Sequence, residues 1–170
     1  MSETISLLKI LEDTVVDGPG FRISIYCAGC SHGCVDCHNP QSWNINNGIA
    51  TSVDEIVARI LRSSSDVTFT GGDPFFQSSA FTILAKKIKA HSTKNIWCYT
   101  GFKYEQLLLK PDAIELLKQI DVLVDGPFVK DKKDTNLLFR GSSNQRLIDV
   151  PKSLEKKQVV LFDYHPFPEF

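Results

Sequence analysis

No apolar run in this chain approaches membrane-spanning length, and neither sign of charge is in excess. Lys plus Arg number 19 and Asp plus Glu 20, a net charge of −1 at pH 7. The first absence argues against a membrane span. The second leaves no global field to draw the chain to nucleic acid or to an anionic membrane, so neither is expected as a partner. No secretory segment opens the sequence, and it holds no internal repeat, low-complexity tract or linker. The expectation is one domain over residues 1–170, in the reducing cytoplasm. Cysteines number only five, an odd count. Without a secretory segment, an odd count argues against a disulfide framework and leaves thiolates free for metal. What is present is ordinary globular material, 42% hydrophobic and 23% charged. A chain this long buries roughly 70% of its unfolded surface, enough for a sizeable core.

Three of the five cysteines crowd together in Cys30-Ser31-His32-Gly33-Cys34-Val35-Asp36-Cys37. The spacing is C-x3-C-x2-C. A cubane [4Fe-4S] cluster takes one outside ligand per iron, usually a thiolate. Three thiolates leave one iron open, and an open position marks catalytic rather than structural metal sites. Cys27 raises the rival of a closed four-thiolate site, for zinc or for an electron-transfer cluster. The central spacer is far shorter than the dozen or so residues usual between zinc ligand pairs. Cys27 also ends the run Phe21 to Cys27, where a period of two sets it on the apolar face with Phe21, Ile23 and Ile25. That position suits a packed, small hydrophobic thiol.

Strand and helix patterns alternate along the chain. Strands are predicted at Phe21–Cys27, Val67–Thr70, Asn95–Thr100 and Val122–Val124, with weaker signals at Arg146–Val150 and Gln158–Phe162. A helix begins near Ser52 with the capping box Ser52-Val53-Asp54-Glu55 and turns Val53, Ile56, Val57, Ile60 and Leu61 inward. Others cover about Ser79–Ala90, with Phe81, Leu84, Ala85 and Ile88 inward, and Asp112–Gln119. Residues Lys130–Asn144 read as loop. Such alternation predicts an α/β fold, a parallel sheet with crossover helices. A full eight-fold barrel takes about 250 residues, so this chain can build only part of one. The cysteine loop, Gly71-Gly72-Asp73-Pro74, Thr100-Gly101 and Asp125-Gly126-Pro127-Phe128 all follow strands. Carboxyl ends of parallel strands are where α/β sheets bind ligands.

These motifs carry a family resemblance. Asp17-Gly18-Pro19-Gly20-Phe21-Arg22 ahead of the three cysteines, then Thr70-Gly71-Gly72-Asp73-Pro74, resembles the glycyl-radical-enzyme activases of the radical S-adenosylmethionine (SAM) type. Val122 to Val129 and Phe139-Arg140-Gly141-Ser142-Ser143-Asn144-Gln145 look like the branch that activates anaerobic ribonucleoside-triphosphate reductase. Cys37-His38-Asn39-Pro40 is equally like the pyruvate formate-lyase activases, which are longer. The resemblance implies a partial TIM-like barrel and a [4Fe-4S] cluster on Cys30, Cys34 and Cys37 with SAM on the open iron. It implies reductive cleavage of SAM to methionine and a 5′-deoxyadenosyl radical, which takes a hydrogen atom from a glycine of the reductase large subunit. An electron donor such as flavodoxin belongs to the same expectation. The resemblance places SAM-binding groups at Gly71, Gly72 and Asp73, and at the backbone of Asp36, Cys37 and His38 beside the adenine.

From the residues alone, several roles stay double. Gly71 and Gly72 let backbone approach a ligand, and a side chain at Gly72 would obstruct that approach. Asp73 either pairs with the SAM ammonium or caps the following helix. Asp36 and His38 are otherwise solvated loop residues. His32 either ligates metal or tunes hydrogen bonding around the cluster. Arg22 serves either the surface or the site. Trp97 and Tyr99 share one strand face, with Cys98 packed on the other. Lys86 to Lys89 and Lys130 to Lys133 read as solvated faces. The apolar tail Tyr164–Phe170 either packs on the sheet edge or meets a partner. The loop from Phe128 to Asn144 is the expected mouth for a protein substrate, with Arg140 and Asn144 offering polar groups to backbone carbonyls. The rival of another class is a non-catalytic iron–sulfur carrier or metal-stabilised interaction domain. It needs a fourth ligand from Cys27 or a histidine and leaves the Gly71-Gly72 turn without a purpose.

Overall fold

The period-two run ending in Cys27 is a strand, but a longer one precedes it. In a computed structural model that describes residues 3–166, β1 (Thr4–Thr14) lies antiparallel to β2 (Arg22–Cys27). On the outer side of β1, β3 (Ile49–Ser52) pairs antiparallel. Parallel to β2 stand β4 (Asp66–Gly71), β5 (Ile96–Tyr99) and β6 (Val122–Asp125). Finally β7 (Arg146–Asp149) runs antiparallel to β6. The seven strands make one sheet in the order β3-β1-β2-β4-β5-β6-β7. The predicted parallel sheet is therefore its centre, with antiparallel strands on both flanks. β3 and β7 are the two edges, so the sheet is open. Gln158–Phe162, expected as a strand, contributes only a bridge between Leu161 and Ile148.

The crossovers are α1 (Val53–Arg62), α2 (Ser78–His91), the short α3 (Tyr104–Leu107) and α4 (Pro111–Leu117); α5 (Val150–Lys156) follows β7. Apolar spacing on α1 and α2 directs Ile56, Ile60, Phe81, Leu84 and Ile88 onto one sheet face. There they bury Ile23, Ile25, Val67, Phe69, Ile96 and Leu123. Phe81 meets Phe69 with ring centroids 4.9 Å apart. Two inward assignments fail: Leu61 lies at the margin of the α1 face and Phe21 sits before the strand, and both are exposed. The predicted capping box is also absent, because the Ser52 side chain makes no cap bond. Ser52 still pairs with β1, and the Val53 N–H donates to the Glu3 carbonyl at 2.9 Å. A neighbouring strand thus satisfies a helix donor that the serine would otherwise serve.

The opposite face carries a smaller cluster. Trp97, Val122 and Val124 pack there with Tyr99, Phe139, Leu147 and Phe162, while Cys98 points into the main core. Arg22, expected at the surface or in the site, is 1% exposed on this face. Its guanidinium donates to Thr68 Oγ1 at 2.7 Å, the Val67 carbonyl at 2.7 Å, the Pro19 carbonyl at 3.1 Å and Asn95 Oδ1 at 3.0 Å. Burial pushes it down to about 10, so it stays cationic at neutral pH. Thr68 in turn donates to the Asp17 carbonyl. Arg22 therefore ties the Asp17–Gly20 loop to the sheet. We expect Arg22→Met, which keeps the apolar stem and removes the donors, to cost about 3 kcal/mol in urea unfolding. A cost below about 0.5 kcal/mol would show that Arg22 behaves as a surface residue.

Among the described residues no helix is long and apolar enough to cross a membrane. The apolar tail is described only in part. Tyr164 rests on Phe139 at 5.3 Å between ring centroids, beside Phe162 on Trp97 at 5.5 Å. Residues 167–170 lie outside the described range.

Candidate active site

Four chain reversals converge at the carboxyl ends of the parallel strands. The loop after β2 carries Cys30, Cys34 and Cys37. The turn after β4 carries Gly71 and Gly72, and Thr100-Gly101 follows β5. The long connection after β6 supplies Gly126, Phe128, Leu137, Phe139, Arg140 and Gly141. All of them line one cavity of about 660 Å³ on the sheet face away from the main core. That is within the usual size of a small-molecule site.

The three cysteines are free and half-buried, whereas Cys27 and Cys98 are fully buried and do not reach the cavity. Burial pushes the Cys30 thiol up to about 11, against a lowering hydrogen bond from the His32 backbone. A metal must therefore displace a proton from Cys30 at neutral pH. Burial drives the Cys27 thiol further up still. The turn from Cys34 to Cys37 is closed by the Cys37 N–H donating to the Cys34 carbonyl, and the Asn39 N–H donates to Cys37 Sγ at 3.4 Å. Backbone donors to a cluster sulfur are a standard means of tuning it. Among the described residues no group of three or more His, Cys, Asp or Glu converges on a single ion. A single zinc ion needs its donors gathered at one point. A cubane differs, since each thiolate meets its own iron, and three thiols spaced around one cavity suit that donor pattern.

The other expected site residues divide. Gly71 and Gly72 line the cavity, and so does His38, whose ring lies 5.1 Å from Phe128. Asp36 does not line it. Its carboxylate reaches Lys130 Nζ at 2.7 Å, across to the connection after β6. Lys130 is solvent-exposed, as expected of that stretch, and its pairing holds the Asp36 carboxyl below the usual carboxylate range. Asp73 does not line the cavity either. It caps the one-turn helix Pro74–Gln77, with its side chain accepting from the Phe75 N–H at 3.0 Å. His32 lines the cavity with its Nε2 at 2.6 Å from Asp73 Oδ2.

Sequence reasoning missed one wall. Lys9, Val16, Asp17 and Tyr26 line the cavity beside Tyr99. The Tyr26 hydroxyl donates to Asp17 Oδ2 at 2.7 Å, and Lys9 Nζ lies 4.8 Å above the Tyr26 ring. Burial and this carboxylate push the Tyr26 phenol up, so it remains a neutral donor. The signal was available: Tyr26 alternates with Cys27 and so must leave the core face.

A family model described as "4Fe-4S single cluster domain" matches residues 16–148, well over half of the chain. A protein of Salmonella typhimurium named anaerobic ribonucleoside-triphosphate reductase-activating protein is 37% identical over 142 residues, covering 77% of this chain and 90% of its own. The chain belongs to this family. Family members of the same name in enterobacteria phage T4 and Escherichia coli are also 37% identical, over 139 and 142 residues. The matches cover 78% and 77% of this chain, and 86% and 90% of those proteins. The family is named for an activating reaction, and its matched region contains every cavity-lining cysteine.

Proposed function

We propose that this chain is a radical SAM activase acting on the large subunit of anaerobic ribonucleoside-triphosphate reductase. One observation carries the reading: three cysteines, the Gly71-Gly72 turn and the connection after β6 face a single cavity of about 660 Å³. Cys30, Cys34 and Cys37 would hold a [4Fe-4S] cluster with one open iron, and SAM would share the cavity. Together the cluster and SAM would supply one-electron cleavage of SAM to methionine and a 5′-deoxyadenosyl radical, able to take a hydrogen atom from a glycine of the reductase. A one-electron donor of the flavodoxin kind would reduce the cluster, in the cytoplasm. The open sheet is read as an incomplete TIM-like barrel, forming one radical SAM domain over the whole chain.

The chain's own residues have simpler tasks. Thiols at 30, 34 and 37 lose their protons to bind iron. Phe128, Leu137 and Phe139 give the mouth an apolar wall, which keeps water from a reactive intermediate. Backbone of the Gly71-Gly72 turn and of Cys37-His38 offers polar groups to SAM. Arg140 keeps its place by donating to the Gln145 carbonyl at 3.2 Å, while its buried Nε has no partner. Asn144 donates to the Pro127 carbonyl and leaves Oδ1 unpaired. Of the two, Arg140 lines the cavity, where a peptide backbone would enter by the open side, and Asn144 does not line it.

The test uses anaerobically reconstituted, reduced protein. SAM should yield 5′-deoxyadenosine, and added reductase large subunit should show a glycyl radical by electron paramagnetic resonance. No 5′-deoxyadenosine from cluster-loaded protein refutes the reading and favours an electron carrier. A glycyl radical on pyruvate formate-lyase but none on the reductase would transfer the assignment to that sister activity.

A further inference from the structure

Asp73 follows the glycine turn, yet its carboxylate is turned away from the cavity and is 1% exposed. Four groups of the chain reach it among the described residues. Oδ1 accepts from the Phe75 N–H at 3.0 Å. Oδ2 accepts from the Thr100 hydroxyl at 2.8 Å and the Gly101 N–H at 3.0 Å, and lies 2.6 Å from His32 Nε2. A carboxylate offers about four acceptor sites, two on each oxygen, so Oδ2 is saturated and only Oδ1 keeps one to spare. An incoming ammonium would have to reach that one oxygen inside a side chain that is 1% exposed.

His32 is the partner that matters for chemistry, because it stands two residues from Cys30 and two from Cys34. A carboxylate already surrounded by donors only accepts, so His32 Nε2 carries the hydrogen. The ring is held on its other sides as well. Phe102 meets it edge-on with centroids 4.5 Å apart, and Phe76 lies at 5.3 Å. Gly101 provides the space: a Cβ there would lie 2.5 Å from His32 Cδ2. A second tether is parallel to the first, from the Asp73 N–H to the Gly29 carbonyl at 2.9 Å.

We propose that Asp73 is a positioning residue acting through His32: the pair clamps the segment between Cys30 and Cys34 to the ends of β4 and β5, and so fixes where the cluster stands against the glycine turn. The consequence for SAM rests on the cluster reading above; the clamp itself does not. Asp73 takes no direct part in binding SAM, and the polar groups offered there are those of the Thr70–Gly72 backbone.

Two measurements separate the possibilities. The first is amide hydrogen exchange on metal-free protein. His32→Ala should speed exchange across residues 29–35 on the order of tenfold, the scale of one lost charge-assisted hydrogen bond. His32→Gln should restore protection, since its side-chain amide can donate where Nε2 does. Unchanged exchange in His32→Ala overturns the clamp. The second is SAM affinity of cluster-loaded single and double variants. His32→Ala should weaken SAM binding, and Asp73→Asn should add little in the His32→Ala background, because residues acting as one unit are non-additive. If His32→Ala is silent and Asp73→Asn weakens SAM equally with or without His32, Asp73 touches SAM and the proposal fails. Should wild-type protein take up no iron, the functional reading falls, while hydrogen exchange still decides the clamp.

Discussion

Cys34→Ala will leave the protein unable to hold an iron–sulfur cluster, as will Cys30→Ala and Cys37→Ala, whereas Cys27→Ala and Cys98→Ala will keep it. The separation follows from position. The first three thiols line one cavity and are half-buried, so an assembling cluster can reach them. Cys27 and Cys98 are fully buried in the core formed with the helices. Ionising a thiol there means placing charge among aliphatic side chains, and burial drives both thiols far above neutral pH. Replacing either by alanine deletes one sulfur from the core and costs about 1 kcal/mol, leaving the fold intact. Iron and acid-labile sulfide after anaerobic reconstitution are the readout. Wild-type protein should carry four irons per chain at full loading, the cubane stoichiometry. If Cys27→Ala loses iron as completely as Cys34→Ala, the cluster has four protein ligands, no iron is open to SAM, and the chain is a carrier.

How far the sequence carried this picture depends on what kind of force places each residue. The four parallel strands and the two long helices were legible because burial imposes a period on them. Ile23 and Ile25 alternate, and Ile56, Ile60, Phe81, Leu84 and Ile88 repeat at helical spacing. The cysteine loop and the glycine turn were legible because their chemistry demands rare residues at fixed separations. Strand β1 was not: beyond Ile5 and Leu7 it turns largely outward, and its pairing with β2 and β3 is made by backbone. Asp73 and Arg22 were left ambiguous for a related reason. A charged residue is buried only where distant donors or acceptors gather around it. Thr100, Gly101 and His32 come to Asp73 from other loops, and Asn95 comes to Arg22 across 73 positions. Local pattern contains none of that. The wall of Lys9, Asp17 and Tyr26 falls between the two cases, since strand phase gives the direction of Tyr26 and only the fold gives its company.

Gly72→Val is expected to abolish cluster loading, a larger effect than the loss of SAM approach that the bare motif suggests. The two glycines are required for different reasons. Gly71 has φ +106°, a conformation that side chains rarely adopt, and a Cβ there would strike the Cys27 backbone. Gly72 has no such φ. Its constraint is space, because a Cβ would lie 2.5 Å from the Gly29 carbonyl oxygen. That oxygen is held in place by the Asp73 N–H, and the Gly72 N–H itself donates to the Cys27 carbonyl at 2.7 Å. Backbone on both sides cannot give as a flexible side chain could, so valine must push Gly29 away. Gly29 precedes Cys30, and displacing it moves a ligand. Overpacking of this kind costs typically 1–3 kcal/mol, and here the strain falls on the cysteine loop. Gly72→Ala should show the same defect in milder form, with partial iron content. Iron content and thermal unfolding of both variants, followed by SAM binding on whatever loaded protein remains, separate the two roles of the turn. Full iron with SAM affinity alone reduced would mean that Gly72 serves SAM directly and that the cysteine loop tolerates the shift. Iron lost in a variant that still unfolds cooperatively would mean that the turn after β4 acts first as the seat on which the cysteine loop is built.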